Sequence, residues 1–179
     1  MKILGAIIAG GQSRRFGSDK AHAEIVGRKL LDHIADALAP QTDALIVCGR
    51  DWPDLTSIPD RPAPDQGPLG GLCAALRYAI ENGFDAVLTA GCDTLPVPAN
   101  LRTTLGSAPA VIEGQHIFGL WPTTLADALD HHLASQPDRS MRGWFAVSGT
   151  RQVWCDTAFH NLNTPEDFAL CSGAQGLAP

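Results

Sequence analysis

The sequence predicts a single α/β domain of three layers, with a mostly parallel central sheet flanked by helices. Three observations carry that expectation. Short, uninterrupted apolar runs of strand length recur along the first half of the chain, each closed by glycine. Segments of helical periodicity alternate with them. The 179 residues are enough for one sizeable core, with no room for a second.

Ile3 to Ala9, the first element, is a continuous apolar run ending at Gly10-Gly11, as expected of a strand buried on both faces. A polar, basic, glycine-containing loop runs on through Lys20. Lys29 to Ala39 places Leu30, Leu31, Ile34, Ala35 and Leu38 at helical spacing, and Pro40 stops it. Ala44 to Cys48 is a second strand, ended by Gly49. A loop rich in Pro and Asp covers Pro59 to Pro68. Leu69 to Glu81 reads as a helix that Asn82-Gly83 ends. Ala86 to Ala90 is a third buried strand, closed by Gly91-Cys92-Asp93. Further helices are expected over Asn100–Leu105, Leu125–Leu133 and Arg139–Val147, with Gly143 a weak point in the last. Strands are expected over Ile117–Trp121 and Val153–Phe159. Thr164-Pro165-Glu166-Asp167 opens a final helix: a threonine cap, proline in the first turn, then acids. Residues 1–171 form the domain, and 172–179 form a small, polar, frayed tail.

Composition narrows the function. Hydrophobic residues make up 45% and charged residues 18%, which is globular. The net charge of -6 argues against a nucleic-acid partner. Local positive charge gathers at Arg14, Arg15 and Lys20, a pattern suited to a small anionic ligand. The five cysteines form no C-x-x-C pair and no zinc-ligand spacing. No segment reaches the roughly 20 apolar residues of a membrane span. A cytoplasmic protein with reduced thiols is expected.

Chemistry concentrates at the ends of the expected strands, where open α/β sheets place ligands. Gly10 and Gly11 allow close approach of backbone N–H groups to a phosphate, and Arg15 and Lys20 supply charge. The loop is neither G-x-x-x-x-G-K-[ST] nor G-x-G-x-x-G. Gly67-Pro68-Leu69-Gly70-Gly71 makes a tight turn into a helix start that can face an anion. Asp60 and Asp65 in the preceding loop are either ligand contacts or the residues of an Asx turn. Asp93, at the end of a central strand, suits a magnesium ion held against phosphate oxygens, or else caps the next helix. Cys92 is read as a small buried hydrophobe. His131 and His132 are read as solvated. No Ser–His or Cys–His nucleophile motif is present.

Ala9-Gly10-Gly11-Gln12-Ser13-Arg14-Arg15-Phe16-Gly17-Ser18-Asp19-Lys20 resembles the nucleotide-binding loop of the molybdenum cofactor guanylyltransferases. So do the D…G-P-L-x-G pattern from Asp60 to Gly71, Cys92-Asp93-Thr94, and the ending Asn161-Leu162-Asn163-Thr164-Pro165-Glu166-Asp167. The resemblance runs from Ile3 to Leu170. It implies a Rossmann-like nucleotidyltransferase fold whose N-terminal half binds nucleotide and whose C-terminal half binds a pterin. It implies transfer of GMP from GTP to the terminal phosphate of molybdopterin, with Mg2+ as cofactor and pyrophosphate as the second product. By the same resemblance Lys20, Arg15 and Asp93 are catalytic and Asp93 is the metal ligand. Ala9, Gly10, Gly11, Lys20, Asp60, Gly67, Pro68, Leu69, Asp93, Asn161 and Asn163 then bind substrate. Arg142 and Trp144 are candidate pterin contacts. Transient contact with molybdenum-insertion proteins or apoenzyme chaperones is a further implication. The chain carries Cys48-Gly49-Arg50 where the family has an Asn-x-Asn-type segment near the base, and this keeps CTP open beside GTP. A sugar-phosphate nucleotidyltransferase and a silent nucleotide-binding protein are the other readings.

Overall fold

A computed structural model describes residues 1–10, 20–64, 66–164 and 166–168. The strands are β1 (Ile3–Ile8), β2 (Glu24–Ile25), β3 (Arg28–Lys29), β4 (Ala44–Cys48), β5 (Thr56–Ile58), β6 (Ala86–Gly91), β7 (Thr94–Leu95), β8 (Ala110–Ile112), β9 (Gln115–Pro122), β10 (Arg151–Val153) and β11 (His160–Asn161). The α-helices are α1 (Leu30–Leu38), α2 (Pro68–Glu81), α3 (Leu101–Leu105), α4 (Ala126–Ser135) and α5 (Met141–Ser148). Seven strands form the main sheet in the order β10-β8-β9-β6-β1-β4-β5. Neighbours pair in parallel except at β9, which runs against both β6 and β8.

The first strand shows why the sheet sits between two helical layers. Side chains alternate across a strand. Ile3, Ile7 and Ala9 join the core on the side of α1 and α3, while Leu4, Ala6 and Ile8 join the core that holds α2, α4 and α5. Every residue of β1 and β6 is buried, which is why β1 reads as an unbroken apolar run and β6 as one interrupted only by Thr89. From α2, Leu69, Leu72 and Leu76 enter the second core. Each such side chain contributes about 1.5–3 kcal/mol.

The chain leaves β1 for β4 on one side and later returns to β6 on the other, so the order of strands reverses around β1. A crevice outside the carboxyl ends of β1 and β6 results from that reversal. Ile8 is level with Cys48 on β4 and Gly91 on β6, and Cys48 is level with Ile58 on β5. The loops after β1, β4, β5 and β6 therefore emerge along one edge.

Several expectations need correction. The expected strand Val153–Phe159 is instead Arg151–Val153. Its partner β8 has only three residues, and the Glu113 N–H donates to the Val153 carbonyl at 2.9 Å, closing the ladder. β2, β3, β5, β7, β8 and β11 are not among the strands that the sequence predicts. His132 is buried on α4 against Trp144, with ring centroids 5.4 Å apart; only His131 is exposed. Cys92 is half-buried against the core. In α5 Gly143 has a packing reason, since a Cβ there would collide with the Asp138 carboxylate. The helix starts at the Ser140 cap, whose hydroxyl accepts from the Gly143 N–H at 3.0 Å. Thr164 caps as expected: its hydroxyl accepts from the Asp167 N–H, and Asp167 accepts from the Thr164 N–H at 2.8 Å. Among the described residues no helix is long and apolar enough to cross a membrane.

Candidate functional site

The exits of β1, β4 and β5 meet in a cleft of about 390 Å³, lined by Gly10, Gly49, Arg50, Asp60 and Pro64 among others. Glycine at 49 is what lets the exits meet. Its φ is +85°, and a Cβ there would lie 2.6 Å from the Gly10 nitrogen and 2.8 Å from Asp60 Oδ1. A Cβ on Gly10 would collide with the Asp60 carboxylate. The Gly49 N–H is held by the Ile58 carbonyl at 2.9 Å, and the Ala9 N–H by the Cys48 carbonyl at 2.9 Å. Arg50 Nε donates to the Ala9 carbonyl at 2.9 Å, fastening the β4 exit to the start of the first loop. The sequence segment that departs from the family pattern thus builds the wall of this cleft. The mark available in the sequence was a glycine directly after an apolar run.

Asp60 is 8% exposed, so its carboxylate is part of the cleft and not a solvated turn residue. Burial, and then the Asp60 charge, push the neighbouring Cys48 thiol far above its ordinary range. Burial and the bond to Asp130 likewise push Cys73 up to about 12. Neither thiol is a nucleophile at neutral pH.

The start of α2 lies beneath the cleft. Gly67 adopts φ +67°, which favours glycine, and Pro68 comes next at the first helical position. A Cβ on Gly71 would lie 3.0 Å from Ile8 and 3.3 Å from Cys48; on Gly70 it would lie 3.4 Å from the Asp60 Cβ. These two glycines bring the positive end of the helix dipole to the ends of β1 and β4. The Leu69 side chain is fully buried in the core, which leaves its backbone as the part available to a ligand.

Asp93 stands one strand away, just beyond β6. The Thr94 hydroxyl donates to Asn161 Oδ1 at 2.8 Å and lies 3.3 Å from Asp93 Oδ1. The Leu162 N–H donates to the Asp93 carbonyl at 2.8 Å, and β11 pairs antiparallel with β7. Distant in sequence, Asp93 and Asn161 thus share one short ribbon. Asn163 is exposed beside them, its N–H donating to Asp167 at 2.8 Å. Trp144 is fully buried, so a contact with a pterin is not open to it; Arg142 is exposed on α5. Gly11, Arg15 and Asp65 lie outside the described residues. Lys20 opens a short 3-10 turn (Lys20–His22), and its side chain is outside them too.

A doubly wound sheet with a reversal at β1, a helix start and glycines at the strand ends, and a carboxylate after the central strand define a nucleotide-binding α/β fold of the transferase kind. The chain belongs to the MobA-like NTP transferase domain family, which matches residues 5–153. It is 36% identical over 184 residues to the molybdenum cofactor guanylyltransferase of Cereibacter sphaeroides, covering 94% of this chain and 95% of that one. It is 34% identical over 190 residues to the molybdenum cofactor guanylyltransferase of Rhizobium leguminosarum bv. trifolii, covering 94% and 90%. Its fold is similar to that of molybdopterin-guanine dinucleotide biosynthesis protein A from Archaeoglobus fulgidus, with a TM-score of 0.75 at 19% identity over 94% and 96% of the chains.

Proposed function

We propose that the protein transfers GMP from GTP to the terminal phosphate of molybdopterin, releasing pyrophosphate. The observation that carries this reading is the Asp93 carboxylate beyond β6, one strand from the Gly10 loop and joined to the N-x-N segment through Thr94. Family membership and the named relatives support the choice of base and acceptor.

A phosphate oxygen of molybdopterin attacks the α-phosphorus of GTP. The bond from that phosphorus to the bridging oxygen of the β-phosphate breaks, and its electrons leave with pyrophosphate. The attacking group is already an anion and needs no strong general base. Gly10, Gly11 and the start of α2 cradle the phosphates with backbone N–H groups. Asp60 contacts the nucleotide from the wall of the cleft. Arg15 and Lys20, which lie between β1 and β2 in the sequence, neutralise charge growing on the leaving group. Asn161 and Asn163 hold the acceptor.

Asp93 is an oxygen donor suited to a hard divalent cation. Among the described residues no group of three or more His, Cys, Asp or Glu could hold a metal ion, and Asp93 is the side chain that would hold Mg2+. Bound there, Mg2+ supplies charge neutralisation at the triphosphate.

The test is pyrophosphate release with molybdopterin and Mg2+, comparing GTP with CTP. Release with GTP alone, abolished in Asp93→Ala, supports the reading. Release with CTP alone replaces it with a cytidylyltransferase, and nucleotide binding without release replaces it with a binding protein.

A further inference from the structure

A second pocket, of about 500 Å³, opens at the same edge of the sheet on the far side of Asp93. Its lining is Glu113, Gly114, His116, Arg142, Phe145 and Gln152. We propose that this pocket is the subsite for the ring of the acceptor, and that it recognises a 2-amino-4-oxopteridine through Glu113, Arg142 and Gln152 above Phe145. The proposal rests on the transfer reaction above and assigns residues to its acceptor side.

Three rigid elements converge on the pocket. Glu113 sits in the β8–β9 turn, its N–H tied to Val153 of β10. Gln152 lies on β10, level with Val111 of β8. Arg142 and Phe145 come from α5, whose start is fixed by the Ser140 cap and by Asp138, which accepts from the Ser140 N–H at 2.9 Å. The ladder between β8 and β9 breaks between Val111 and Ile112. Such irregularities re-aim side chains. Here the His116 ring stands edge-on to Phe145 with centroids 5.1 Å apart.

The donor inventory selects the ligand. Among the described residues the side chains of Glu113, Arg142 and Gln152 make no hydrogen bond or ion pair. One acid and one base surround the pocket, which suits a neutral heterocycle better than a phosphate. A carboxylate accepts from the ring N3–H and the 2-amino group together. Arg142 offers only donors, which suits the ring carbonyl, and the Gln152 amide offers both kinds. Phe145 supplies an apolar surface for a planar ring. Burial, and then the Arg142 charge, hold His116 below the usual imidazole range, so it adds no second positive charge at neutral pH.

The span also fits. The end of β8 is two strand spacings from the end of β6, about 10 Å. That is comparable with the reach of a pterin carrying a phosphate on its side arm. Ile117, next to His116, lies beside Gly91 at the end of β6: a Cβ on Gly91 would lie 3.5 Å from Ile117 and 3.2 Å from Asp93 Oδ1.

Guanine presents the same 2-amino-4-oxo edge, so the test separates the two rings. Binding of 6-hydroxymethylpterin is followed by its fluorescence in the wild type, Glu113→Gln and Arg142→Ala, with guanosine as competitor. Steady-state KM values for molybdopterin and GTP are measured on the same proteins. Both substituted side chains are exposed and partnerless among the described residues, so folding is expected to survive, and thermal melts check it. Glu113→Gln is expected to weaken pterin binding and raise the acceptor KM roughly 10- to 100-fold, with the GTP KM unchanged. The proposal is overturned if the wild type does not bind the pterin, if neither variant changes its affinity, or if the variants raise the KM of GTP instead. Pterin binding that depends on Glu113, in a wild type that releases no pyrophosphate, would leave the pocket assignment standing and overturn the transfer reaction alone.

Discussion

Gly49→Ala tests how the cleft at the β1, β4 and β5 exits is built. An alanine at φ +85° costs about 1–2 kcal/mol in backbone conformation. Its Cβ would also meet the backbone of Gly10, which cannot swing aside as the tip of a side chain can. Overpacking of that kind adds about 1–3 kcal/mol. The total is about 3 kcal/mol, which lowers Tm by roughly 6–12 °C in a domain of this size. Gly83→Ala is the control. Gly83 has φ +71° but nothing within 4 Å of the added carbon, so only the conformational cost of about 1–2 kcal/mol applies. Thermal unfolding of both variants by circular dichroism isolates the steric part. The GTP KM should rise in Gly49→Ala and stay unchanged in Gly83→Ala. Equal losses of stability in the two variants would refute the close crossing of the β1 and β4 exits.

The charged groups have consequences of their own. Burial works against ionisation of Asp130, but the Cys73 and Arg77 hydrogen bonds and the Arg77 charge outweigh it and hold the carboxyl below its usual range. A carboxyl depressed on folding stabilises above its unfolded pKa, and that contribution is lost as pH falls through the native value. The Asp130 side chain is 37% exposed and solvent screens the pair, so Asp130→Asn should cost no more than about 1 kcal/mol at pH 7 and flatten the acid limb of the stability curve, measured by urea unfolding from pH 3 to 7. Asp127→Asn, whose side chain is 90% exposed, should leave stability close to wild type. His116 should titrate below the usual imidazole range by NMR, and Arg142→Gln should move it upward by removing the neighbouring charge. Because its pKa falls on folding, His116 supports stability at pH above the ordinary imidazole value and loses that support in acid.

The sequence made the N-terminal half legible because its strands are buried on both faces. Ile3 to Ala9 and Ala86 to Ala90 have no polar residue facing solvent, so they appear as apolar runs interrupted only by the buried Thr89, and the edge that carries the cleft lies where they end. Gly67-Pro68 declared a helix start by conformation alone. Three-residue strands such as Thr56–Ile58 and Ala110–Ile112 leave too short a pattern to read, because their register comes from neighbours and not from their own alternation. Val153 to Phe159 shows the converse: it has the composition of a strand but runs past the end of its short partner. His132 lies three residues after Leu129 and so on the apolar face of α4, a spacing that the adjacent His131 obscured. The close approach of Gly49 to Gly10 joins residues far apart in sequence, and only the assembled sheet reveals it.

The most direct test of nucleotidyl transfer tracks the phosphorus itself. GTP labelled with 32P at the α or the γ position is incubated with molybdopterin and Mg2+, and the products are separated. Attack at the α-phosphorus predicts α-label in a pterin–guanine dinucleotide and γ-label only in pyrophosphate. Label from the γ position in the pterin product, or as free inorganic phosphate with the α-label left in GDP, would contradict it.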